Sequence, residues 1–380
     1  MGIDISNIQK SGTIAVKPTS AVNTGFWKKE ISFSKKVGAK EKEALYKDLS
    51  TLISAGVDFE SALTILSKQQ KKVHLKLLID KIKKDVVKGR SFYEALEATG
   101  KFSSYEYYSI KIGEETKRLD TVLLELHKYF KRQIKLRKQI ISVITYPSFV
   151  LILTIGVLYF MLNYVVPMFK SVFNQFDGDL PGLTKKIIIL SDKFPLILGM
   201  GVLLVLSSIL VLKVYGQNST FRKYRSFLIL KIPFFGKLVK TIYLARYCQF
   251  LDLLLTSKTS LTESLVMVKK MIGFYPIEVS IDSIHKNVIK GVPLAKAMKQ
   301  HAIYDYKLVS MVEVAEEINE LDTMFSRLAN EYDEEVEHKT KMIGVILEPM
   351  IILIIGGVVG LIMIAMYAPM FDLSKIINGG

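Results

Sequence analysis

The sequence predicts an all-α protein: two homologous helical bundles combined with three transmembrane helices. Three observations carry that expectation. The chain repeats itself at a constant offset of 202 residues. Three windows are long and apolar enough to cross a bilayer. No stretch shows the sustained period-two alternation of a half-buried strand.

The repeat keeps its register without a gap. Leu52-Ile53-Ser54-Ala55-Gly56-Val57-Asp58 is echoed by Leu254-Leu255-Thr256-Ser257-Lys258-Thr259-Ser260. Gly89 falls on Gly291, Leu119-Asp120 on Leu321-Asp322, Pro147 on Pro349, and Pro167-Met168-Phe169 on Pro369-Met370-Phe371. Each copy joins a polar helical block to an apolar run, so the duplicated unit is a bundle plus its membrane helix.

Residues 1–40 read as a flexible basic tail with few periodic apolar positions. Its Phe26-Trp27 pair has two readings, docking on a partner or the lipid interface, and local packing on the first bundle. From Glu41 the pattern turns helical. Leu45, Leu49, Leu52 and Ile53 share a face, Gly56 interrupts, and Asp58 is placed to cap the next helix. Ser260 and Glu263 have capping-box spacing, as do Ser91 and Glu94 after Gly89. Gly291-Val292-Pro293 places proline in the first turn of the matching helix. Each block, 41–145 and 214–347, is then a bundle of about six helices.

The last helix of each block carries one apolar stripe, Leu119, Val122, Leu123, Leu126, Tyr129, Phe130 and Ile134 in the first copy. Leu321, Met324, Phe325, Leu328, Tyr332 and Val336 form its counterpart. No breaker intervenes before Pro147 or Pro349, so each helix is expected to run straight into the bilayer as a rod of up to roughly 70 Å.

Half of the 380 residues are apolar and the mean hydropathy is +0.29. Tyr146–Val166, Phe194–Leu212 and Pro349–Phe371 contain no charged side chain, which places the spans at 146–169, 194–213 and 348–371. Met1-Gly2-Ile3-Asp4 shows no basic stretch followed by an apolar core, so no cleaved signal is expected. A single cysteine, Cys248, excludes an internal disulfide framework and a four-thiolate metal site.

The formal charge of +16 fits nucleic acid, anionic lipid headgroups or membrane topology. Its distribution favours topology. Lys128, Lys131, Arg132, Lys135, Arg137 and Lys138 crowd the approach to the first span, and Lys213, Arg222, Lys223, Arg225 and Lys231 follow the second. The positive-inside rule then puts the N-terminus and both large blocks in the cytoplasm, with the loop 170–193 and the tail 372–380 outside. No aromatic-interleaved basic stripe supports nucleic acid as a partner.

The ordered motifs resemble the F domain of the type II secretion and type IV pilus inner-membrane platform proteins, from residue 41 to the C-terminus. They are Leu52 to Val57, Gly113-Glu114 before Leu119-Asp120, Tyr146-Pro147, Leu180-Pro181 with Thr184, Pro233-Phe234-Phe235-Gly236, Ala245-Arg246 and Glu348-Pro349. The resemblance implies a non-enzymatic platform without cofactor or metal. Its implied partners are a cytoplasmic hexameric assembly ATPase, pilin or pseudopilin subunits, other inner-membrane assembly components and further copies of itself. One departure is local. The family's glycine before Leu119 is Lys117 here and Asn319 in the second copy; lysine adopts left-handed backbone less readily, which argues against a sharp turn in copy one.

No catalytic constellation is visible. His74, His127, His285, His301 and His338 are scattered, and Gly236-Lys237 lacks the rest of a phosphate-binding loop. The candidates for partner contact are acidic: Glu114, Glu115 and Asp120, their equivalents Glu316, Glu317 and Asp322, and Glu348 at the mouth of the third span. For the paired carboxylates, a divalent cation, a basic partner and a plain solvated helix face are the readings open. Gly356 and Gly360 permit close helix contact, within the protein or between copies. Residues 43–145 carry 20 basic and 13 acidic side chains, a balance of +7, against 12 and 15, a balance of −3, for 245–347. The copies thus offer opposite charge to partners, or have drifted apart as solvated surfaces. A small transporter or channel is the rival class. It would place ionisable groups at mid-membrane, where these spans have none.

Overall fold

The computed structural model describes residues 37–168, 171, 182–215 and 219–378, which hold helices and turns and no strand. The Phe26-Trp27 pair lies outside the described residues. The first copy comprises α1 (Ala39–Ser54), α2 (Phe59–Gln69), α3 (Val73–Val87), α4 (Phe92–Thr99), α5 (Ser104–Glu115) and α6 (Leu119–Phe160). After α6 a wide turn of π-helix, Met161–Val165, leads to α7 (Gly182–Tyr215) and α8 (Ser219–Lys231). The second copy comprises α9 (Phe235–Thr256), α10 (Leu261–Ile272), α11 (Tyr275–Ile289), α12 (Leu294–Met298), α13 (Tyr306–Glu317) and α14 (Leu321–Asn378). Of the expected loop 170–193, residues from Gly182 onward are already helical.

Local chemistry explains the helix boundaries. Asp58 accepts from the Ser61 N–H at 2.9 Å, and Ser260 from the Glu263 N–H at 3.3 Å. Each satisfies an otherwise orphaned amide of a first turn. Pro293 is the residue before α12 rather than within its first turn, with φ −51° and ψ 143°. That places its missing N–H outside the helix altogether.

Three helix ends recur in both copies as the same left-handed stop. Its residues are Gly56 and Lys258, Gly89 and Gly291, Lys117 and Asn319, with φ between 56° and 90°. In each, the N–H of the following residue returns to a carbonyl five residues back: Val57 to Leu52, Thr259 to Leu254, Arg90 to Asp85, Val292 to Asn287, Arg118 to Gly113, Glu320 to Ala315. These bonds satisfy the last carbonyls of each helix. The sharp turn in copy one is therefore present, contrary to the expectation from Lys117. The hydrogen bonds from the Lys117 N–H to the Glu114 carbonyl at 3.3 Å and from the Arg118 N–H to the Gly113 carbonyl at 2.9 Å offset the roughly 1–2 kcal/mol that the left-handed conformation costs a side chain.

The predicted stripes form the cores. Val122, Leu123, Leu126 and Phe130 are buried against Tyr46, Leu49, Leu63 and Leu96. Phe325, Leu328 and Tyr332 do the same against Tyr247, Leu251, Leu265 and Met298. Gly236 marks a close approach: a Cβ there would lie 2.4 Å from the Leu230 carbonyl oxygen, so only glycine fits the turn after Pro233.

The two long helices are unbroken. α6 has 42 residues and contains Pro147, which is buried; α14 has 58 and runs through Pro349. At 1.5 Å per residue these are rods of about 63 and 87 Å. Three helices, within Leu119–Met168, Asp192–Leu212 and Leu321–Ile364, are long and apolar enough to cross a membrane. Their apolar side chains face outward, Ile152, Leu203 and Leu353 among them, as lipid contact requires.

Candidate functional site

The first shared feature is a carboxylate latch inside each bundle. Glu114, at the end of α5, accepts from the Phe92 N–H at 2.7 Å and the Tyr93 N–H at 3.0 Å, at the start of α4. Glu316, at the end of α13, accepts from the Leu294 N–H and, at 2.7 Å, from the Ala295 N–H at the start of α12. A full negative charge set on two first-turn amides at a positive helix end is favourable on both counts. The latch ties the end of one helix to the start of the helix before it, through residues 21 and 22 positions apart. It also separates the paired carboxylates: Glu115 is exposed and lies 3.6 Å from Lys111, and Glu317 is exposed. Among the described residues no group of three His, Cys, Asp or Glu is placed to hold a metal.

The other acidic candidates lie apart from the latch. Asp120 is exposed in the first turn of α6, where its charge suits the helix dipole. Asp322, in the first turn of α14, lies 4.0 Å from Lys258. Glu348 is exposed on α14. A Cβ at Gly356 or Gly360 would meet nothing within 4 Å, so neither glycine packs on another part of this chain among the described residues.

The second feature is the seam where α6 meets α14. Lys135 lies 2.7 Å from Glu337, and Arg132 pairs with Asp333 at 3.3 Å and donates to Asn330 at 3.1 Å. Further along, Val143 packs on Gly344, where a Cβ would come within 3.0 Å. A cavity of about 450 Å³ opens beside these pairs, lined also by Gln133, Gln139, Arg246 and Gln249. Gln249 donates to both oxygens of Asp333 at 2.9 and 3.0 Å. Burial holds the Asp333 carboxyl above its ordinary range, against the lowering pull of Arg132.

This seam is what reasoning along the sequence missed. Its signal was present: Lys128, Lys131, Arg132 and Lys135 occupy the positions of Asn330, Asp333, Glu334 and Glu337. Part of the opposite charge of the two copies is thus turned on each other.

The heads themselves meet one way round. α5 of the first copy packs on α9 and α10 of the second. Tyr105 stacks on Phe250 with ring centroids 4.3 Å apart, Lys270 lies 5.2 Å from the Tyr108 ring, and Arg118 donates to the Thr256 carbonyl at 3.0 Å. The reciprocal contact, α13 on α1 and α2, is not made to any comparable extent among the described residues.

Two helical heads, each continuous with a membrane-spanning helix and closed by the same latch, define a duplicated multi-pass membrane protein. The chain belongs to the family described as Type II secretion system (T2SS), protein F, which it matches over residues 45–167 and again over 247–369, the same offset of 202. It is 30% identical to the type IV pilus assembly protein PilC of Thermus thermophilus, over 88% of this chain and 83% of that one. It is 27% identical to the protein of the same description from Pseudomonas aeruginosa, over 90% and 92%. A type II secretion system protein F from Aeromonas hydrophila matches at 24%, over 92% and 90%.

Proposed function

We propose that this chain is a non-enzymatic inner-membrane platform of a type IV pilus or type II secretion machine. In this reading it couples a cytoplasmic assembly ATPase to insertion or extraction of pilin-like subunits, and several copies assemble together. The N-terminus and both heads lie in the cytoplasm, with 170–193 and the C-terminus in the periplasm. The carrying observation is the continuity of α6 and α14 from head to bilayer. A displacement of either head reaches the membrane without a slack linker, and the seam, with Arg132–Asp333, Lys135–Glu337 and Val143 packed on Gly344, holds the two rods side by side. The family membership supports the machine class.

The test is a flexible hinge. Four glycines inserted after Ile141 and after Met342 interrupt both rods while leaving both heads and all spans intact. Loss of surface filaments or of secreted protein, with normal abundance in the membrane, is the expected result; undiminished assembly contradicts the coupling. Orientation is read separately. Cys248 is fully buried and so shielded from thiol reagents; an impermeant reagent is therefore applied to intact cells carrying Tyr306→Cys, a position 86% exposed. Labelling before lysis overturns the cytoplasmic placement.

A further inference from the structure

The one-way packing of the heads leaves two complementary faces uncovered. Within the chain, Tyr105 and Tyr108 of α5 meet Phe250 of α9 and Lys270 of α10. Their equivalents 202 positions away are Lys307 and Ser310 on α13, and Asp48 and Lys68 on α1 and α2. None of these meets its counterpart. The exposure differs accordingly. Ile112, on the α5 face with Tyr105 and Tyr108, is 2% exposed, whereas its equivalent Val314 is 50% exposed. Tyr306 and Ile318 at the two ends of α13 are exposed as well.

The residue exchange is matched in chemistry. Where the internal contact stacks Tyr105 on Phe250, the uncovered faces carry residues of opposite charge, the half-buried Asp48 and Lys307, whose ammonium within its own head lies 2.7 Å from Glu331. Where Lys270 sits over Tyr108, the uncovered faces carry Lys68 and Ser310, with the exposed carboxylates Glu313 and Glu317 on the following turns. A head-to-tail contact whose two surfaces are both left free at the ends of a chain is able to propagate. Copies in one bilayer share their orientation, so the operator relating them is a rotation about the membrane normal, and the contact forms a ring where that rotation closes.

We propose that a second copy of this chain docks its α1–α2 face, through Asp48 and Lys68, on the α13 face of the first, through Lys307 and Glu317. The contact repeats between chains the packing that joins the two heads within one. It gives the self-association proposed above a specific surface, and it is read independently of which machine the platform serves.

Two variants of the full chain in a Cys248→Ala background, one carrying Asp48→Cys and the other Lys307→Cys, are co-expressed, and isolated membranes are treated with a mild oxidant. A disulfide-linked dimer only when both variants are present is the expected result. The two substitutions on one chain give a ladder beyond two chains. No interchain product from chains that insert normally overturns the proposal. So does a purely intramolecular disulfide, or equal crosslinking when Leu77→Cys on α3 replaces Asp48→Cys. In a second arm without cysteines, Lys68→Glu and Glu317→Lys, both at exposed positions, each lower the oligomeric fraction several-fold and together restore it. Failure of the pair to restore what each single change removes counts against the contact.

Discussion

Lys135 and Glu337 stand at the same position in the two copies and bind each other, Nζ to Oε2, at 2.7 Å. Had both copies kept one residue there, two like charges would face across the seam. Duplication within one chain allows the position to diverge into a complementary pair, and Arg132 with Asp333 extends it. Lys135 is exposed and Glu337 is open to solvent, so the pair's contribution to stability is small. Lys135→Glu lowers stability slightly, and Lys135→Glu with Glu337→Lys restores it. Chemical denaturation of the purified protein in detergent at low and high salt measures the difference, which shrinks as salt screens it.

A buried ion pair distinguishes the first head from the second. Lys42 lies 2.6 Å from Glu106, which also accepts from the Tyr46 hydroxyl at 2.8 Å, and Glu106 is fully buried. The equivalents in the second head are Leu244, Leu308 and Cys248, all buried. The protein therefore contains both solutions to one packing problem. Glu106→Leu alone strands the ammonium and costs about 3–5 kcal/mol, whereas Lys42→Leu with Glu106→Leu leaves no unpaired charge and costs only the lost acceptor of the Tyr46 hydroxyl, about 1–3 kcal/mol. Thermal unfolding of the single and double variants separates the two.

The latch predicts equal behaviour in both heads. Glu114→Ala or Glu316→Ala leaves two amides at a helix start without an acceptor, a loss of about 1–3 kcal/mol in either copy. Glutamine keeps an acceptor oxygen and loses less. Hydrogen exchange at residues 92–93 and 294–295 follows the change at its source, with faster exchange in the alanine variants.

Asp252 makes stability depend on pH. Burial, with the Glu125 charge adding to it, raises its carboxyl to about 6. The folded state then holds the proton more tightly than the unfolded chain. Its stabilising effect is complete below the ordinary carboxylate value and is lost as pH rises through about 6. The equivalent residue is Ser50, which is neutral. Asp252→Asn removes this loss and raises stability at pH 7 by on the order of 2 kcal/mol, allowing for the group's partial exposure. Unfolding measured between pH 4 and 7 gives a flatter profile for the variant.

Much of this architecture was legible because duplication and hydropathy are properties of the sequence itself. Val122, Leu123, Leu126 and Phe130 of one stripe and Phe325, Leu328 and Tyr332 of the other are buried as their spacing required, with Leu119, Tyr129, Leu321 and Met324 half-buried beside them. The left-handed turn at Lys117 was not foreseen, since residue preference is a local quantity and the hydrogen bonds that offset it are made by neighbouring residues. The role of Glu114 was obscure for a related reason. A carboxylate near the end of one helix says nothing of which helix start it reaches, and only the fold brings Phe92 and Tyr93 to it. The seam lay in view as reciprocal charge at equivalent positions, but its meaning depended on knowing that the two rods lie side by side.

The central claim is that each head is continuous with its membrane helix. Hydrogen exchange of the protein in lipid nanodiscs, followed amide by amide across residues 139–152 and 341–354, tests it most directly. Slow exchange through both junctions, interrupted only where Pro147 and Pro349 lack an N–H, is the predicted result. Fast exchange over a turn or more at both junctions would show hinges there and contradict the transmission of movement from head to bilayer.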